Sequence, residues 1–218
     1  MTAAKIIEDL SLNSKGRYTI SPLDFSKIEV ALCESRSRFT YNASDGTLQF
    51  IKPTWIHACS SIWLKNWVYE MEHFGMVNPY SLCVLTNADL QGFTGCFAGR
   101  WVWVIYLFCH HLSDFWNSKK NSTAALHLSG RVWPTILLET GYVETDEDLI
   151  SGTNLLLEGS KGKTGFVIVV KLGELTSGDQ EIQNGYVELH KYNQDTRRRV
   201  RVGERQVILY SLLFSFYQ

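Results

Sequence analysis

Glu139 is the acidic residue whose position in the sequence most clearly suggests chemistry. It ends a short apolar run, Thr135 to Leu138, and Gly141 follows at the point where the chain must turn away. A buried carboxylate is costly to desolvate, so it usually has a metal ion, a lysine or backbone donors as its partner. Metal-dependent hydrolysis of a phosphodiester needs an acidic pair that holds a divalent cation, with a lysine nearby. Glu139 is therefore the first candidate for a site residue.

The chain offers few partners for this carboxylate. Asp114 is the only acidic residue between Gly99 and Glu139, and Lys171 lies late in the apolar run that follows. Acidic residues in the first turn of a helix are favoured by the helix dipole alone, so the acids after Gly141 carry little weight, with the exception of Glu144. Whether these side chains converge on Glu139 decides whether a site exists.

The elements around Glu139 follow the order strand, helix, strand. Thr145 to Asp148 supply a cap and first-turn acids for a helix that runs to Gly159. The segment Phe166 to Leu172, FVIVVKL, is rich in β-branched residues and is typical of a buried central strand. A crossover of this length favours parallel pairing with a right-handed connection.

A hairpin and a long helix are predicted upstream. Residues 36–52 alternate apolar and polar side chains around an Asp-Gly turn signal, which indicates a β-hairpin. From Thr54 to His73, apolar residues recur at spacings of three and four, and we expect that face, with Ile62, Trp63 and Trp67, to lie in the core. His57 is either a proton shuttle or phosphate contact, or a partly buried histidine bonded to a neighbour.

A second hairpin is predicted near the end of the chain, from residues 185–192 and 200–210. Its turn carries Arg197, Arg198 and Arg199. These arginines are candidates for contacts to nucleic-acid phosphates. A solvated edge that discourages strand-to-strand aggregation is equally consistent with them.

Composition limits the classes of protein that fit. A chain of 218 residues that is 45% hydrophobic fits one ordinary domain. The net charge of -1 excludes a global positive field, so any nucleic-acid binding must come from a local patch. The strongest apolar run, Trp101 to Cys109, is far shorter than the roughly 20 residues that cross a bilayer. With no signal peptide, we expect an intracellular protein, cytoplasmic or nuclear, without membrane contact.

The passage WPTILLETGYVETDEDLISGTNLLLEGSKGKTGFVIVVKL, Trp133 to Leu172, resembles the PD-(D/E)XK restriction-endonuclease-like superfamily, specifically a fungal branch of it. GFTGCFAG at Gly92 to Gly99 and RFTYNASDGTLQFIKPTWIH at Arg38 to His57 are similar to upstream blocks of that family. The resemblance implies a mixed α/β (α+β) fold, with a mixed central sheet flanked by helices. It also implies one domain over residues 1–218, interrupted by an atypical apolar insertion at about 100–128.

For the site, the resemblance makes Glu139 the metal-binding glutamate. The family's preceding aspartate belongs on the adjacent strand, and Asp114 is the local substitute for it, so that Asp114 and Glu139 would bind the metal. Glu139 is followed by Thr140 and Gly141 and not by a lysine two residues on, which leaves Lys171 as the catalytic lysine.

Two functions follow from the resemblance. The first is Mg²⁺-dependent cleavage of DNA, with Asp114, Glu139 and Lys171 as the catalytic residues. The second is a catalytically inactive relative that binds nucleic acid or protein. The sequence sets neither the oligomeric state nor a preferred nucleic-acid substrate.

Overall fold

The computed structural model describes residues 3–35, 37–53, 55–78, 81–91, 119–173 and 184–209. Within them, four helices and nine strands follow one another along the chain: α1 (Ala3–Leu12), β1 (Lys15–Thr19), α2 (Pro22–Glu34), β2 (Arg38–Asn42), β3 (Thr47–Ile51), α3 (Trp55–His73), β4 (Leu82–Gln91), β5 (Lys119–Leu128), β6 (Ile136–Gly141), α4 (Asp146–Leu157), β7 (Phe166–Leu172), β8 (Asn184–Asn193) and β9 (Arg198–Leu209). The strands form one mixed sheet in the order β1-β3-β2-β5-β6-β7-β8-β9, and β4 pairs with β5 off this path. The predicted mixed α/β fold with a central sheet and helices is confirmed.

The predicted strand-helix-strand unit is β6-α4-β7. β6 and β7 are parallel, with Glu139 opposite Val169. α4 begins with a capping box, in which the Thr145 side chain accepts a hydrogen bond from the Asp148 backbone while the Asp148 carboxylate accepts one from the backbone of Thr145. β6 continues to Gly141, two residues beyond the predicted end. Glu139 therefore lies inside the strand, and the pairing of its backbone fixes the position from which its carboxylate projects.

Both predicted hairpins are present. β2 and β3 pair antiparallel from Asn42 opposite Thr47, and Gly46 in the turn has φ +68°, a left-handed conformation that glycine adopts without steric cost. β8 and β9 form the second hairpin, and Arg197 lies in its turn at φ 54°. The Asp-Gly turn therefore fixes the register of the first hairpin, whereas the second has a register irregularity between Val187 and Leu189.

Helices cover the two faces of the central strands. Leu137 packs in one apolar cluster with Leu156 of α4, whereas its neighbour Leu138 packs in another with Leu64 of α3. Successive side chains of a strand point to opposite faces, so α3 and α4 lie on opposite sides of β6. Glu139, two residues after Leu137, shares the side of α4.

A third apolar cluster packs the first two helices on the first three strands. It contains Ile6, Leu10, Ile20, Phe25, Ile28, Leu32, Phe39, Tyr41, Leu48 and Phe50. Phe25 of α2 stacks on Tyr41 of β2, with ring centroids 4.1 Å apart. This packing holds β2, and with it Arg38, in a fixed position beside the centre of the sheet.

The predicted core face of α3 is wrong. The helix buries a narrower stripe, made of His57, Ser61, Leu64 and Val68, while Ile62, Trp63 and Trp67 are 48%, 41% and 36% exposed. The Ser61 hydroxyl donates a hydrogen bond to the Thr123 carbonyl of β5 at 3.1 Å. The buried stripe therefore combines this polar contact with apolar packing through Leu64, and the more hydrophobic face lies outside.

The predicted insertion overlaps an element of the sheet. Residues 119–128, its last part, form β5, which pairs with β2, β4 and β6. Residues 92–118, which include Asp114 and the apolar run from Trp101, lie outside the described residues. None of the helices in the described ranges is both long and apolar enough to cross a membrane.

Candidate functional site

A cleft lies where the sheet divides along β5. β4 pairs along 119–128, so β2 and β6 must share the opposite edge, β2 at residues 119–120 and β6 at residues 124–126. The cleft has a volume of about 510 Å³. Its lining residues are Lys15, Gly16, Arg17, Arg38, Phe39, Thr40, Gln49, Phe50, Ile51, Lys120, Glu139, Val143, Glu144, Thr145, Glu147, Asp148 and Leu149.

The Glu139 carboxylate at the bottom of this cleft has two cationic partners. Glu139 is 2% exposed, and its Oε2 lies 3.1 Å from Nζ of Lys120 and 3.3 Å from Nη2 of Arg38. No hydrogen bond from the described residues reaches the other oxygen, Oε1. One oxygen is thus shared by two cations, and the other has capacity for a further donor or cation.

The Lys120 side chain occupies a site shaped by three elements. Its ammonium pairs with Glu139 on β6 and also donates a hydrogen bond to Thr40 Oγ1 on β2 at 3.1 Å. On the third side is Gly152 of α4, where a Cβ would lie 2.8 Å from the ammonium nitrogen. The ammonium therefore has a defined site that a larger residue in α4 would obstruct.

A second carboxylate, that of Glu144, lies close to Arg38 and His57. Its Oε1 lies 3.7 Å from His57 Nε2 and 3.9 Å from Arg38 Nη1, and its Oε2 accepts a hydrogen bond from the Tyr142 amide at 3.0 Å. Burial alone raises the pKa of Glu144, but contact with His57 and the charge of Arg38 outweigh it and lower that pKa to about 2. His57 lies beside this acid at 2% exposure, which is more deeply buried than the partly buried histidine of the second interpretation.

Charged residues also surround the mouth of the cleft. The exposed Arg17 guanidinium lies 2.9 Å from an Asp148 carboxylate oxygen, to which the Gln49 amide also donates at 2.6 Å. Lys15, two residues before Arg17 on β1, donates to the carbonyl of Val143 at 3.4 Å. Because alternate residues of a strand share a face, Lys15 and Arg17 both line the cleft.

The structure brings together only part of the predicted catalytic set. Glu139 lies in the cleft, and Asp114 falls outside the described residues. Lys171 does not line the cleft, since its ammonium donates to the carbonyl of Tyr142 at 2.9 Å. The lysine that contacts Glu139 is Lys120, which sequence reasoning missed although a pair of lysines at the start of an otherwise uncharged strand was a visible signal.

The described side chains do not fit a Mg²⁺ ion. Magnesium is usually held by one or two carboxylates with waters, whereas Glu139 is paired with Lys120 and Arg38, and the adjacent β5 has no acidic residue. Glu144, the nearest second acid, is already held by His57 and Arg38. Across the described parts of the chain, no group of three or more His, Cys, Asp or Glu side chains could hold a metal ion.

The arginines of the second hairpin are largely engaged within the protein. Arg198 Nη1 lies 3.1 Å from a Glu158 carboxylate oxygen, and Arg199 Nε donates to Asn154 Oδ1 at 2.7 Å. Both partners belong to the end of α4 or follow it directly. These contacts attach the hairpin to the helix, although Arg198 is 75% exposed, and Arg197 and Arg198 are the exposed members of the set.

Comparisons of this chain with protein-family models, with curated proteins and with solved structures found no match. The resemblance to restriction-endonuclease-like proteins therefore stays a prediction. A functional proposal has to be argued from the geometry of the cleft.

Proposed function

We propose that this chain is a PD-(D/E)XK restriction-endonuclease-like domain that binds nucleic acid in its cleft without cutting it. One observation carries the proposal. Where a metal-dependent nuclease needs a second carboxylate, Glu139 has the ammonium of Lys120 and the guanidinium of Arg38. Both acids of the cleft floor, Glu139 and Glu144, lie against Lys120 or Arg38, and we assign them to these ion pairs instead of to a metal ion that would activate water.

The fold is consistent with the family in this proposal. The resemblance implies a mixed central sheet flanked by helices, with the glutamate on the strand that precedes a helical crossover. β6, α4 and β7 form such a unit around Glu139. Fold alone does not establish activity, so the content of the cleft carries more weight.

The mouth of the cleft supplies groups that suit phosphate. Lys15 and Arg17 lie on the same face of β1 at the mouth of the cleft, above Lys120 and Arg38, and a guanidinium can bind two phosphate oxygens at once. Arg17 is paired with Asp148, but its side chain is 63% exposed, and exposed pairs contribute only about 0–1 kcal/mol. A phosphate oxygen can therefore replace Asp148 at little cost.

Fluorescence anisotropy with labelled duplex DNA tests the proposal in chelator-containing buffer. We expect affinity to fall steeply with salt, and the double variant Lys15→Gln/Arg17→Gln to reduce the slope of log K against log salt by about 2. Lys5→Gln/Lys27→Gln, on α1 and α2, removes the same charge outside the cleft and is the matched control.

Two outcomes would contradict the proposal. Absence of salt-dependent binding would exclude nucleic acid as the ligand. Cleavage of plasmid DNA by the purified protein with Mg²⁺ or Mn²⁺, abolished by chelator, would instead support the metal-dependent nuclease, with Asp114 supplying the missing carboxylate.

Exposed apolar side chains on α3 favour a protein partner as a second candidate. Trp63 and Trp67 stack with nearly parallel rings, and Phe74 and Met76 beyond them are 73% and 72% exposed. Clustered apolar groups on a surface commonly mark protein contacts. Sedimentation velocity tests the simplest case, contact between two copies, because Trp63→Ser/Trp67→Ser would then abolish a concentration-dependent rise in sedimentation coefficient.

A further inference from the structure

We propose that the Lys120 ammonium is the resident cation of the Glu139 site and takes the place of a divalent metal ion. The inference deepens the proposed function at the same cleft, because it states why that cleft works without metal. It concerns the metal that the family resemblance implies, and it rests on the contacts of Glu139, on the space made for Lys120 and on the local charge.

The first step is the demand of a buried carboxylate for positive charge. Glu139 is 2% exposed and would be strongly destabilising without a counter-charge. In a metal site, the ion supplies that charge. Here Lys120 Nζ at 3.1 Å and Arg38 Nη2 at 3.3 Å supply it from within the chain.

The second step concerns the space available to the Lys120 ammonium. A glycine in the interior of a helix costs about 1 kcal/mol relative to alanine, yet Gly152 occupies such a position in α4. A Cβ there would approach Nζ to 2.8 Å. Thr40 Oγ1 on the other side accepts a hydrogen bond from the ammonium at 3.1 Å. The absent side chain and the hydroxyl together define a site for one cationic head group.

The third step is electrostatic. Lys120 and Arg38 balance the negative charges of Glu139 and Glu144, so the floor of the cleft offers a divalent ion no net attraction while the Lys120 ammonium lies next to Glu139. Without Lys120, the carboxylates of Glu139 and Glu144 would outnumber Arg38, and the floor would carry a net negative charge. Glu139 Oε1, which accepts no hydrogen bond from the described residues, would then be available as a metal ligand.

Isothermal titration with Mn²⁺ tests the inference on the full chain. Lys120→Asp replaces an ammonium, which repels Mn²⁺, by a carboxylate that can bind it, on the strand next to Glu139. We expect this variant to bind Mn²⁺ at least about tenfold more tightly than the wild type. Lys52→Asp makes the same change of charge outside the cleft and should leave Mn²⁺ affinity unchanged. A folded Lys120→Asp protein with wild-type Mn²⁺ affinity would overturn the inference.

A second measurement keeps the inference testable if that variant does not fold. In the wild-type protein, Mn²⁺ should cause no selective broadening of the amide resonances of Thr140 and Gly141, which flank Glu139. Selective broadening there would show metal at Glu139 with Lys120 in place and would refute the inference. Because neither experiment contains DNA, failure of the metal prediction and failure of DNA binding can be told apart.

Discussion

The ammonium of Lys120 on β5 lies against Gly152 on α4, so closely that a Cβ on Gly152 would be 2.8 Å from Nζ. Lys120 is 7% exposed, and the head group that meets Gly152 is the same one that pairs with Glu139. The space left by Gly152 therefore accommodates the head group of a buried ion pair. The effect of replacing Gly152 on the stability of the protein should depend on whether Lys120 is present.

Gly152→Ala should destabilise the protein, although the same change in most helices is favourable. Alanine gains up to about 1 kcal/mol of helix propensity, but its methyl group displaces the ammonium from Glu139, which costs more. We expect a net loss of about 1–2 kcal/mol, measured by urea unfolding. In a Lys120→Ala background the change should be neutral or stabilising, and equal effects in both backgrounds would show that the two residues are not coupled.

Glu139→Gln keeps the shape of the side chain but removes its charge. Lys120 and Arg38 then lose their shared partner while still buried, so unfolding free energy should fall by about 3–5 kcal/mol. Glu147→Gln removes an exposed carboxylate from the rim of the same cleft and should cost less than about 1 kcal/mol. Chemical denaturation of the two variants checks both values, and similar losses would argue against a buried ion pair.

Acid should destabilise the protein through Glu144. Its pKa is lowered to about 2 in the folded state, so its contribution is complete above its ordinary pKa of 4.5 and is lost as pH falls through 2. A shift of this size corresponds to about 3 kcal/mol. Urea unfolding between pH 5 and pH 2 should show a shallower decline for Glu144→Gln than for the wild type. Glu147→Gln should keep the wild-type pH dependence.

The second hairpin should stabilise the fold more than it binds DNA. Arg199 donates to Asn154 and contacts His190 Nδ1 at 2.8 Å, so Arg199→Gln should lower stability by about 1–3 kcal/mol and leave the salt dependence of DNA binding unchanged. The neighbouring Arg197→Gln, an exposed change, should alter stability by less than about 0.5 kcal/mol. A fall of about 1 in the salt slope with either variant would place phosphates at the hairpin.

Two substitutions on α3 distinguish its buried stripe from its exposed face. Leu64 is fully buried between α3 and the sheet, and Leu64→Ala should cost about 2–5 kcal/mol. Trp67→Ala removes a larger side chain but should cost less than about 1 kcal/mol, because that ring lies at the surface. Thermal unfolding measures both effects, and a larger loss for Trp67→Ala would mean that the hydrophobic face is packed.

The elements that local pattern predicted are those with strong local chemistry. The Asp-Gly turn that ends at Gly46 specified one hairpin, and the cap at Thr145 specified the start of α4. In both cases the signal lies within four residues of the element it defines. Such interactions do not depend on the rest of the fold, so the sequence alone was sufficient.

The partners of Glu139 were not predictable in this way. Arg38 is 101 positions away from Glu139 and meets it only because β2 and β6 share an edge of β5. No local period connects two such residues. The buried face of α3 was missed for a related reason, since the contact between Ser61 and Thr123 depends on the position of the sheet.

The contact between Lys120 and Glu139 has a consequence for how the protein responds to its surroundings. A dissociable ion occupies its site in proportion to its free concentration and can be removed by a competing ligand. A side-chain ammonium is delivered by the backbone itself and is present in every folded molecule. If Lys120 is the resident cation, as proposed, the positive charge beside Glu139 belongs to the chain itself and does not depend on the supply of divalent ions in the cell.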